Sequence, residues 1–349
     1  MTLPKKAIFV SLAILIGFTL GIYLTEVVLR EVLLVPFVPG SESDFREIVS
    51  KNWPKNVALV KKPGSFRILG LADSFGVAGG ESNYHYRLEA ILRGRGYDVE
   101  VISLSVPAYS LEHELALLQR FGARYEPDLV LHGFFVGNDF GLGEPPTHRY
   151  RGVRVEKLAG FSSWLPHNLN VVRWVPKWWE MRAERRRNIS ARESGDDGNF
   201  SSDDFLEIER VRLGSCRLPT SHGPAWLGTT AVLDGVKLEI QQMNAAHLLV
   251  VHPDQFQIET KLSDEIMDTF NLDWRLYDLD LPQKFLRAYA SSRDIQLVDL
   301  TLPFRAHGSD GGLYLPRDTH YNPTGNELAA EILADAIEPR VAERLGAGI

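Results

Sequence analysis

A chain of 349 residues has room for one large domain or two small ones, and a composition 44% hydrophobic and 24% charged is that of a globular protein. A net charge of −7 supplies no overall basic field for nucleic acid. The single cysteine, Cys216, excludes an intrachain disulfide and a multi-cysteine metal cluster.

At the N-terminus, Lys5-Lys6 precede an uncharged apolar run from Ala7 to Leu24, close to the ~20 residues that a bilayer requires. The lysines orient such a helix with its N-terminus in the cytoplasm and the remaining chain outside. A cleaved signal peptide and a core helix are the rival readings. No convincing small-x-small cleavage site follows the run, which continues as Thr25-Glu26-Val27-Val28-Leu29-Arg30-Glu31. The expectation is an uncleaved single-pass anchor and linker over residues 1–38, with an extracytoplasmic domain over 39–349.

From Phe66 onward, strand-like and helix-like segments alternate. Strands are predicted at Arg67–Ala72, Val99–Leu104, Leu129–Val136, His247–His252 and Ile295–Leu300. Helices are predicted at Tyr84–Gly94, Leu111–Tyr125, about Thr230–Ala246, Pro282–Ser292 and Pro323 to about Leu345. Such alternation implies a flavodoxin-like, five-stranded parallel sheet in a three-layer αβα sandwich. Right-handed crossovers then bring the C-terminal ends of all strands to one rim.

The alternation breaks over about residues 140–229, read as an insertion. It carries Trp174, Trp178 and Trp179, a basic stretch from Arg182 to Arg192 and a polar, acidic stretch from Ser194 to Asp204. The tryptophans suit either packing of the insertion onto the body or a lid over the rim. The arginines read as a solvated face.

The rim is where chemistry is expected. Ile68-Leu69-Gly70-Leu71-Ala72 delivers Asp73-Ser74 to the end of the first strand, where Ser74 is a candidate nucleophile and Asp73 a turn former. His320, in Asp318-Thr319-His320, lies in a polar loop before the last helix; Asp318 is placed to orient its ring as it acts as base. Gly137-Asn138-Asp139 follows the third strand, Asn138 offering an amide to a developing oxyanion, Gly137 a close backbone approach and Asp139 a cap on the following segment. After the second strand, the backbone N–H at Ala108 is available, whereas Pro107 has none. His252 also ends a strand at the rim and is the rival base; His132 reads as a core histidine.

These blocks, in this order, resemble the SGNH (GDSL-type) hydrolases: Ala72-Asp73-Ser74-Phe75, Ser105 to Ala108, Gly137-Asn138-Asp139 and Asp318-Thr319-His320. The resemblance implies a Ser74 nucleophile, a His320 base, an Asp318 orienter and an oxyanion hole from the N–H groups of Ser74 and Ala108 and the Asn138 amide, with no metal or cofactor. Three departures stand out: Ala72 and Ala108 replace glycines, and one residue rather than the commoner two separates Asp318 from His320. At Ala108 a positive φ would cost about 1 kcal/mol or more. The apolar N-terminal run is similar to that of membrane-tethered bacterial members, some of which act on O-acyl groups of polysaccharides.

The expected function is removal of acyl, above all O-acetyl, groups from a cell-envelope carbohydrate or related ester. Transfer of the same group to a sugar hydroxyl, or a non-catalytic binding module, are the alternatives. The expected partners are that substrate and the lipid bilayer, not nucleic acid.

Overall fold

The structure, a computed structural model, describes residues 16–17, 19–25, 60–107, 109–140, 200–218, 227–308 and 312–346. The chain divides into two units, one of Met1–Phe37 with Arg154–Ser194, the other of Val38–Val153 with Gly195–Ile349. In the first, residues 16–17 and 19–25 are helical; the rest of the apolar run lies outside the described residues, as do Trp174, Trp178, Trp179 and the arginine run. Among the described residues no helix is long and apolar enough to cross a membrane.

The second unit follows the order β1 (Phe66–Leu71), α1 (Tyr84–Gly94), β2 (Val99–Ser103), α2 (Leu111–Phe121) and β3 (Leu129–Phe135). It continues with α3 (Ser202–Arg212), α4 (Leu227–Gln242), β4 (Ala246–His252), the single turn α5 (Gln255–Ile258), α6 (Thr260–Thr269), α7 (Leu281–Ser292), β5 (Gln296–Asp299) and α8 (Thr301–Gly308). A two-stranded hairpin of β6 (Tyr314–Leu315) and β7 (Asp318–Tyr321) leads into α9 (Pro323–Leu345).

Five strands form one sheet in the order β2-β1-β3-β4-β5, and every neighbouring pair is parallel. This is the doubly wound arrangement expected from the alternation. Side chains leave a strand on alternate faces, and the strands are apolar on both. Leu69, Leu71, Val130, Phe134, Leu249 and Val251 meet α2, α4 and α7. Ile68, Val99, Leu129, Leu131, Leu248 and Val250 meet α1, α8 and α9. The near-continuous apolar runs in the sequence follow from this two-sided burial.

Four helices and a hairpin were not among the predicted elements. Helix α3 falls within the predicted insertion and starts on Ser201, whose hydroxyl accepts the Asp204 N–H at 3.2 Å. With α6 it closes a satellite core around Phe205, Leu213, Cys216, Phe256 and Ile266. The single turn α5 and helices α6 and α8 are the other three. The segment from 314 to 321, expected as a loop, is instead the β6–β7 hairpin. Its turn, Pro316-Arg317, holds Arg317 at a φ of +44°, a conformation that a short polar segment adopts only when its tertiary neighbours support it.

Candidate active site

The chain leaves β1 through Ala72, which is buried and outside the positive-φ residues, so its methyl brings no backbone strain. Asp73 then caps a single 3₁₀ turn, Ser74–Gly76, its Oδ1 accepting the Phe75 N–H at 2.9 Å. Phe75 pins this turn to the body: its ring lies 4.4 Å from Phe135, 4.9 Å from Tyr321 and 5.3 Å from His320. Gly76 is required by contact, because a Cβ there would sit 2.1 Å from Ser105 Oγ. Ser74 is left half-buried at the rim. Its carbonyl accepts the N–H groups of Val77 and Ala78; its own N–H has no acceptor among the described residues.

The hairpin delivers His320 from the far end of the chain. Ser74 Oγ lies 2.7 Å from His320 Nε2, and His320 Nδ1 lies 2.6 Å from Asp318 Oδ1. The same Oδ1 accepts the His320 backbone N–H at 3.2 Å. Because the carboxylate can only accept, the ring proton is assigned to Nδ1, and Nε2 presents a lone pair to the serine hydroxyl. Asp318 is buried and His320 half-buried. The short Asp-x-His spacing works because β7 is extended: residues two apart share a face of the strand.

Asn138 lies exposed in the turn after β3, and its Nδ2 donates to Asp73 Oδ2 at 2.7 Å. Asp139 closes that turn backwards, its Oδ2 accepting the Phe135 N–H at 2.7 Å; the segment it was expected to cap lies outside the described residues. Gly137 is also required by contact: a Cβ would meet Asp254 Oδ2 at 2.4 Å and the Phe135 ring at 2.5 Å. Ala108 lies outside the described residues. The segment before it is anchored by the Val106 N–H donating to Ala72 O at 3.3 Å.

Three buried carboxyl groups stand behind the serine turn. Burial pushes the pKa of Asp139 and Glu114 well up, and charge repulsion with Asp73 adds to it. Burial also raises Asp73, opposed by the hydrogen bonds from Phe75 and Asn138 and by the charges of His320 and Arg212. His132 is the core histidine that the sequence suggested: its Nε2 lies 3.2 Å from Glu114 Oε2, and burial lowers its pKa well below the usual range.

His252 is not a second base. Its ring fills the space left by the missing side chain of Gly133, and Tyr321 Oη lies 3.3 Å from its Nδ1. Burial, then the charge of His85, pushes it down to about 3. The folded value lies below the unfolded one of 6.5, so as pH falls the unfolded chain takes up this proton first. The stability that the neutral ring provides is therefore present above about pH 6.5 and lost on acidification, at about 1.4 kcal/mol per pH unit. Between pH 7 and pH 5, wild type is expected to lose about 2 kcal/mol more than His252→Leu. Denaturant unfolding at the two pH values checks this; equal losses would refute it. The buried carboxyls, whose raised values act in the opposite sense, are common to both proteins and cancel.

The residue that sequence patterning missed is Arg212, the last of α3. Its guanidinium carbon lies 5.1 Å from the centre of the Phe135 ring, and Nη1 donates to Glu209 Oε1 at 3.2 Å. Only the Ser201-x-x-Asp204 helix start signalled this element in the sequence.

Residues 221–348 match a family described as the SGNH hydrolase-like domain of the acetyltransferase AlgX. No curated protein matches the chain. Among solved structures, an acetyl xylan esterase, AlAXEase, aligns at 14% identity and a TM-score of 0.41 over 78% of this chain and 100% of its own. TesA aligns at 13% and 0.42 over 78% and 98%, and a GDSL-like lipase from Bacteroides thetaiotaomicron at 12% and 0.40 over 86% and 100%. The family similarity is carried by residues 221–348, fewer than half of the chain's 349.

Proposed function

We propose that the protein is a serine enzyme that takes an acyl group, in the first instance acetyl, from an ester and passes it to water. The unbroken line from Ser74 Oγ through His320 to Asp318 carries this reading. Ser74 Oγ attacks the ester carbonyl carbon while His320 Nε2 takes its proton, and Asp318 stabilises the resulting imidazolium. The oxyanion is met by the Ser74 N–H and the Asn138 amide. His320 then protonates the leaving alkoxide, giving the acyl-serine. Water, deprotonated by the same nitrogen, releases the carboxylic acid and restores Ser74. These residues handle every proton, and the scheme calls for no metal or cofactor.

A carbohydrate hydroxyl in place of water makes the same residues an O-acetyltransferase; the match to the AlgX domain, described as an acetyltransferase's, favours keeping this second reading. Anchoring through the apolar run behind Lys5-Lys6, with the domain on the extracytoplasmic side, is supported by the sequence pattern; a glycan of the cell envelope as substrate rests on the family resemblance and on that anchor.

Reaction with a fluorophosphonate, read by peptide mass spectrometry, tests the proposal. The adduct is expected on Ser74 and absent in His320→Ala. A folded protein whose Ser74 stays unlabelled would be a binding module instead. Free acetate weighed against acetylated glycan in one reaction separates hydrolase from transferase.

A further inference from the structure

The Asn138 amide has to satisfy two demands that an exposed asparagine does not meet by itself. Its two-fold torsion leaves nitrogen and oxygen interchangeable in shape, and a surface side chain moves among rotamers. An oxyanion donor has to present N–H, in place, before the charge develops. The structure contains one group that meets both demands. Asp73 is buried, and each of its carboxylate oxygens accepts one hydrogen bond: Oδ1 from the Phe75 N–H at 2.9 Å, Oδ2 from Asn138 Nδ2 at 2.7 Å.

We infer that Asp73 is a positioning residue, whose carboxylate fixes the amide of Asn138 and the Ser74 turn relative to one another so that both oxyanion donors face one point. The inference rests on the serine-ester reading for its consequence in catalysis, but not for the geometry. An acceptor-only group forces the nitrogen of Asn138 inward and its oxygen away. One N–H is spent on Asp73 and the other stays available. The bond spans 65 positions in the sequence, so it ties the loop after β1 to the loop after β3. The same carboxylate cannot be the partner of His320, because Asp318 already occupies Nδ1 and Ser74 faces Nε2.

Asp73→Asn is the direct test. The new amide oxygen can keep the Phe75 N–H, but its NH2 then faces the NH2 of Asn138, which has to turn away. Turnover of p-nitrophenyl acetate is expected to fall on the order of 10²-fold, as for loss of one oxyanion donor, with KM changed less than about threefold. Asn138→Ala is expected to cost a similar factor. The double variant is expected to be no more than about threefold worse than Asn138→Ala, because both changes remove the same donor. Multiplicative losses, near 10⁴-fold in the double variant, would overturn the inference, since Asp73 would then act apart from Asn138. If Asp73→Asn does not fold, Asp73→Ser replaces it in the cycle: its hydroxyl can cap the Phe75 N–H but is too short for Asn138.

A second measurement is independent of activity. The side-chain amide proton signals of Asn138, identified by their loss in Asn138→Ala, are expected to be shifted and slow to exchange in wild type and to become solvent-like in either Asp73 variant. A solvent-like amide in wild type would overturn the inference. Should Ser74→Ala leave hydrolysis unchanged, the ester reading falls, and the amide signals still decide whether Asp73 holds Asn138.

Discussion

Ser74→Ala is expected to lower the turnover of p-nitrophenyl acetate by about 10⁴-fold or more, to the residue of catalysis that binding and the oxyanion donors provide alone. The substitution removes one half-buried oxygen and one hydrogen bond, to His320 Nε2 at 2.7 Å. Its cost in stability is therefore about 1 kcal/mol, and loss of activity will not reflect loss of fold. The His320–Asp318 contact does not involve the serine and remains. Thermal unfolding of the purified variant, within a few degrees of wild type, is the control. Hydrolysis within tenfold of wild type would show that Ser74 is not the nucleophile, whatever the geometry around it.

Asp318→Asn is expected to reduce turnover by about 10³–10⁴-fold while leaving the ring in place. The physical reason is the tautomer rather than the position. The carboxylate accepts the Nδ1 proton and, through the same oxygen, the His320 backbone N–H. An asparagine that keeps the backbone bond can offer its NH2 to Nδ1, which moves the ring proton to Nε2, and Nε2 then cannot take the proton of Ser74. The negative charge that stabilises the imidazolium is lost as well. Steady-state kinetics on the same ester check this, and fluorophosphonate labelling of Ser74 should slow in parallel. Activity within about fivefold of wild type would mean that His320 needs no carboxylate partner.

Both expectations treat the residues as a unit. Ser74 and His320 stand 246 positions apart, and Asn138 reaches Asp73 across 65. Neither pairing is local. Each follows from parallel strands whose C-terminal ends share one edge, so that the loop after β1, the loop after β3 and the chain after β5 converge.

Apolar patterning along the chain was enough to specify the layered architecture and the rim. Apolar runs at Ile68–Leu71, Leu129–Leu131 and Leu248–Val251 can be buried on both faces only in a helix-covered parallel sheet, and polar residues where such runs end have nowhere to go but the rim. That logic picked out Ser74, Asn138 and His320. It did not anticipate the hairpin that carries His320, because strands of two and four residues are too short to show an apolar period. It favoured His320 as the base and kept His252 as a rival. Both follow strand-like segments, yet one ring faces Ser74 and the other fills the space beside Gly133 against Tyr321. The role of His252, the bond from Asp73 to Asn138 and the placing of Arg212 over Phe135 depend on contacts between segments distant in the chain. Burial, ring orientation and the state of an amide are set by neighbours distant in the chain, whereas periodicity records only which face of an element is apolar.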